Sequence, residues 1–152
     1  MEEVFLDKIK NQVHAYQGAI MGLEIARSKG ITAGSVNGAA GAFLLLMPLS
    51  NLFMFGTEVA LKGIIYKETG DNSLKIHDIN KLFSNLSKES KNYIYNYFLK
   101  ENQINKDKLG ILIKDYSWDF IEKRYLYEDD AEMIDLTFYS SMFEVAREIL
   151  MK

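Results

Sequence analysis

The sequence predicts an all-α fold, an up-and-down bundle of five or six helices forming a single domain over residues 1–152. Three observations carry this expectation. Apolar residues recur at steps of three or four along most of the chain, the spacing of one face of a helix. No run alternates apolar and polar residues between turn signals, as a half-buried strand would. At 152 residues and 48% hydrophobic, the chain can bury one core and is short for two ordinary domains.

From Val4 to about Arg27, Phe5, Ile9, Val13, Tyr16, Ile20 and Leu23 share one stripe of a first helix. In SKGITAGSVNGAAG, Ser28 to Gly41, four glycines interrupt the pattern, so this stretch reads as a loop or a frayed helix start. No Lys-Ser or Lys-Thr pair follows these glycines, as a phosphate-cradling loop requires. A second helix covers about Ala42 to Glu68, with Pro48 kinking it or opening its main part, and Gly70-Asp71-Asn72 ending it. Its apolar segment AFLLLMPLSNLFMF falls short of the roughly 20 residues that span a bilayer. With Pro48 inside it and Glu58 and Lys62 just beyond, it reads as a buried helix, and no membrane association is expected.

Asp78 is placed to cap a short helix through Leu86, and Ser87 the next one to about Lys100. Tyr93, Tyr95 and Tyr97 alternate as in a strand, yet the same stretch forms a helix with Ile94 and Phe98 inward. Asn105 to Tyr125 places Leu109, Leu112, Tyr116 and Phe120 on one face. Ile134, Phe138, Met142, Val145 and Ile149 repeat that spacing in a last helix.

Composition narrows the function classes. The 18 basic and 21 acidic residues are interleaved and sum to −3, so net charge gives no support to nucleic-acid binding. The absence of cysteine removes disulfides and thiolate metal sites and agrees with a cytoplasmic setting. The opening MEEVFLDKIK lacks the basic-then-apolar order of a secretory signal.

Several side chains invite chemistry. Glu58 and Lys62 stand four residues apart in the favourable order for an ion pair, worth a few tenths of a kcal/mol when exposed. Beside so apolar a stretch the carboxylate would be partly buried and need a strong partner; the Arg124 guanidinium is a candidate, and a Glu58–Arg124 clamp is preferred to a catalytic role. For His77 a general acid or base role competes with ring packing while Asp78 caps the helix, and the packing role is preferred. His14, between Gln12 and Gln17, is expected to face water.

Glu128, Asp129, Asp130, Glu132 and Asp135 raise the question of a magnesium or calcium site. Their spacing is not that of an EF-hand loop, and a solvated acidic helix start is the simpler reading, so no metal or other cofactor is expected. Lys81, Lys88, Lys91, Lys100, Lys106, Lys108, Lys114 and Lys123 would contact phosphates only if folding gathered them. Met133 and Met142, with the apolar faces of the first and last helices, offer either a dimer face or monomer core.

Three segments, in order, resemble the HEPN superfamily. PLSNLFMFGTEVALKGII, Pro48 to Ile65, is similar to the family helix in which small and apolar residues precede a Glu and then Leu-Lys. HDINKLFSNL, His77 to Leu86, resembles the His-Asp-Leu…Leu-Phe…Leu segment that follows a short loop. WDFIEKRYLYE, Trp118 to Glu128, looks like the family's Phe…Arg-Tyr-x-Tyr-Glu ending. The resemblance implies a helical bundle, frequently a homodimer, acting on or near RNA or beside a nucleotidyltransferase partner, in bacterial or phage-linked defence, toxin–antitoxin or regulatory systems.

It also implies a polar cluster of Glu58, Lys62, His77, Asp78, Arg124 and Tyr125. Catalytic members carry an Arg followed four to six residues later by a His. Here neither His14 nor His77 follows Arg27, Arg124 or Arg147 at that spacing. The expectation is therefore a non-catalytic binding or interaction module. The alternatives are a metal-independent ribonuclease using His77 and Arg124 with Glu128 orienting, and a small-molecule or nucleotide-binding helical protein.

Overall fold

A computed structural model describes residues 2–28, 39–122 and 136–152, with side chains over 3–28, 48–117 and 136–152. Six helices lie in these segments: α1 (Glu2–Ser28), α2 (Ala39–Thr69), α3 (Ile79–Asn85), α4 (Lys88–Asn102), α5 (Lys106–Glu122) and α6 (Leu136–Met151). Among the described residues there is no strand, and no helix is long and apolar enough to cross a membrane. The expected all-α bundle is what the chain forms. The glycine-rich stretch lies largely outside the described residues, as does the acidic segment before α6.

The long apolar helix α2 is central because it is apolar nearly all round, and such a helix must be covered on several sides. It packs against α1, α6 and α3; α4 in turn meets α5 and α6, and α5 meets α3. Leu49, Ala60, Leu61 and Ile64 on α2 join Val13 of α1, Leu82 of α3, Ile94 and Phe98 of α4, Leu109 and Ile113 of α5, and Leu150 of α6 in one buried cluster. α2 runs through Pro48, which is exposed. At Gly63 both neighbouring helices come close to α2: a Cβ there would stand 2.7 Å from Ile9 Cγ2 and 2.8 Å from Leu150 Cδ1. Only a glycine lets α1 and α6 both approach at that level.

Helix ends follow local chemistry. Gly70 takes φ +74° and its N–H donates to the Tyr66 carbonyl at 2.7 Å, closing α2 with the left-handed residue that glycine adopts freely. Asp78 Oδ1 accepts from Lys81 N at 3.1 Å and Ser87 Oγ from Ser90 N at 3.1 Å, the two expected caps. Asn105 caps α5 instead of beginning it, its Oδ1 accepting from Lys108 N at 2.9 Å. Gln103 at φ 57° turns the chain out of α4.

The tyrosine alternation resolves as a helix, with Ile94 and Phe98 fully buried. Met142 is buried in this same core, packed within the single chain, whereas Met133 and Ile134 lie outside the described residues. Tyr116 of α5 stacks on Phe138 of α6, centroids 4.4 Å apart at 12°, so the aromatic positions of these helices hold α5 to α6.

Candidate functional site

The densest polar constellation on the predicted residues lies where α2 meets the loop leading to α3. Glu58, near the middle of α2, has a side chain only 8% exposed. Lys62, one turn on, donates from Nζ to Glu58 Oε1 at 2.7 Å. His77, at the end of the 70–78 loop, approaches the same oxygen with Nδ1 at 2.9 Å. A carboxylate only accepts, so Nδ1 carries the proton in this contact. The His77 side chain is 55% exposed, which leaves Nε2 as the nitrogen not committed to the carboxylate. The i, i+4 spacing made the Lys62 contact readable; the His77 contact depends on how the loop returns to α2.

Asp78 is the neighbour of His77 but works elsewhere. Its Oδ1 caps α3 and also accepts from Ser117 Oγ of α5 at 2.5 Å, while Ser117 Oγ accepts from Asn80 N at 3.2 Å. Burial pushes the Asp78 carboxyl up, and the Ser117 hydroxyl, the Lys81 amide, the Lys81 charge and the Asn80 amide together outweigh it, leaving the carboxyl below its ordinary value. Residues 77 and 78 thus point to two different helices: the first is tied to α2, the second to α5.

Arg124, Tyr125, Glu128, Asp129, Asp130 and Glu132 lie outside the described residues, and with them the expected Glu58–Arg124 clamp and the weak metal candidates. Among the described residues no group of three His, Cys, Asp or Glu side chains is placed to hold a metal ion. His14 is exposed, as expected. Four of the described lysines are each engaged by a different partner: Lys81 faces Asp78 at 3.7 Å, Lys91 donates to the Ser84 carbonyl at 2.7 Å, Lys100 pairs with Glu101 at 2.9 Å, and Lys106 sits over the Tyr95 ring, while Lys123 lies outside the described residues.

Ser117 and Glu68 are among the polar groups that sequence pattern alone does not single out. Ser117 is buried between helices with no local signal, because its partners lie across the fold. Glu68 accepts from Ser87 N at 2.8 Å, Ser87 Oγ at 2.7 Å and Ser90 Oγ at 2.6 Å, anchoring the start of α4 to the end of α2. A hint existed: a carboxylate in the last turn of a helix opposes that helix's own dipole and calls for a partner.

Comparison of the chain with protein-family models, with curated proteins and with solved structures gives no match.

Proposed function

We propose that this chain is a non-catalytic, HEPN-like binding or interaction module, acting as a homodimer or beside a protein partner in a defence, toxin–antitoxin or regulatory system. One observation carries the non-catalytic part. The titratable groups around the His77-Asp78 pair are engaged in structural contacts: Glu58 pairs with Lys62 within α2 and ties the loop before α3 to it through His77, and Asp78 binds the α3 amide and Ser117 of α5. A group engaged in this way is a structural tie first. The ordered HEPN-like segments, without the Arg-His spacing of the nuclease branch, support the same reading.

A second reading, the ribonuclease, is favoured by one detail. A buried carboxylate on Nδ1 is the arrangement that orients an imidazole and leaves Nε2 to exchange protons. The two readings separate when purified protein is incubated with total RNA beside His77→Ala and Arg124→Ala. The expected outcome is intact RNA in all three samples; cleavage by the parent chain that either variant abolishes replaces the module with an enzyme. Light scattering on the same samples should report a dimer, and a monomer at every concentration removes that part of the reading.

A further inference from the structure

We propose that the cavity between α1, α2 and the 70–78 loop is a binding site for a single-ring aromatic carboxylate, with the ring between the helices and the carboxylate on Lys62. The cavity measures about 170 Å³, and Phe5, Ile9, Val59, Tyr66 and Leu74 supply its apolar wall. Phe5 and Tyr66 meet edge to face, centroids 4.7 Å apart at 65°, and so present an aromatic corner. A protein cavity of about 150 Å³ with aliphatic and aromatic walls accommodates benzene, so the volume between the helices suits a single ring.

Charge selects the substituent. Lys62 is the cationic side chain in the lining, and an ammonium has three N–H donors. Glu58 takes one of them at 2.7 Å and divides that oxygen with His77, so Lys62 retains donors for the cavity. The Asp71 carboxylate at the rim is drawn into its own turn, Oδ1 accepting from Ser73 N at 2.8 Å and Ser73 Oγ at 2.6 Å. Gln12 and Asn72, also at the rim, offer neutral amides that hydrogen-bond a carboxylate without adding charge. An anion on Lys62 extends the row His77, Glu58, Lys62; an ammonium there would face a like charge. The inference stands apart from the module reading, since it needs neither RNA nor a protein partner.

The test uses the full chain and three probes that share a ring: benzoate, benzyl alcohol and benzylamine. Benzoate should raise Tm and titrate calorimetrically to one site, benzyl alcohol should bind about tenfold more weakly, and benzylamine should give no shift. Lys62→Gln should bring benzoate down to the level of benzyl alcohol. Gln12→Glu, at an exposed rim position where folding is not at stake, should weaken benzoate and spare benzyl alcohol. Val59→Phe, which fills the cavity, should abolish both. No benzoate shift in the parent chain, benzylamine or benzyl alcohol matching benzoate, or benzoate binding indifferent to Gln12→Glu would each overturn the proposal.

Discussion

Asp78 holds more donors than a helix cap needs, and the surplus makes it a test of how charge stabilises this fold. Its folded carboxyl lies below the ordinary 3.8. A group depressed on folding contributes stability that is fully present above the ordinary value and is lost as pH falls through the depressed one. Ser117→Ala removes one donor to the carboxylate and one acceptor from the Asn80 amide, so it should cost about 1 kcal/mol at neutral pH. Part of that loss is electrostatic, so denaturant titrations should show the gap between parent and variant narrowing from pH 7 to pH 3. A gap constant across that range would assign the loss to packing alone. Half of this site is readable from sequence: an Asp before a helical pattern is a cap by local chemistry. Ser117 is not, because its hydroxyl acquires meaning only when α5 lies against α3.

At the scale of elements, Glu68 explains how α4 is set against α2. As a carboxylate in the last turn of α2 it is disfavoured by about 0.3–1 kcal/mol, and at the start of α4 it recovers a similar amount from the opposite dipole. The three donors from Ser87 and Ser90 then decide the sign, and the net contribution is stabilising. Glu68→Ala should lower stability by about 1 kcal/mol, comparable to losing a helix cap. Hydrogen exchange should locate the change: amides in the first turn of α4 lose protection more than those of α1. Uniform loss along the chain would contradict a local clamp. Element boundaries were largely legible because caps are local. Asn105 shows the limit, since its side chain makes it a cap although the apolar pattern allows it inside the helix. The alternating tyrosines show the converse: a strand-like signal gives way once Ile94 and Phe98 are fully buried.

Over the whole molecule, stability depends on the first and last helices closing on the same stretch of α2, a relation between distant segments that periodicity does not encode. At Gly63 this closure is close, with Ile9 on one side and Leu150 on the other. Gly63→Ala gains helix propensity of about 1 kcal/mol but forces both neighbours aside, and overpacking of about 1–3 kcal/mol outweighs the gain. Leu150 is fully buried, and Leu150→Ala should cost about 2–5 kcal/mol by leaving a cavity. The two losses oppose one another physically: the truncation removes Leu150 Cδ1 and Cδ2, which a Cβ at 63 would meet at 2.8 and 3.3 Å. The double variant should therefore be more stable than the sum of the single losses implies, by about 0.5–2 kcal/mol in a double-mutant cycle from denaturant melts. The relief is incomplete because Ile9 Cγ2 still stands 2.7 Å from the added carbon. Strict additivity would mean that α6 does not bear on α2 at Gly63, and the close approach of the three helices there would be wrong.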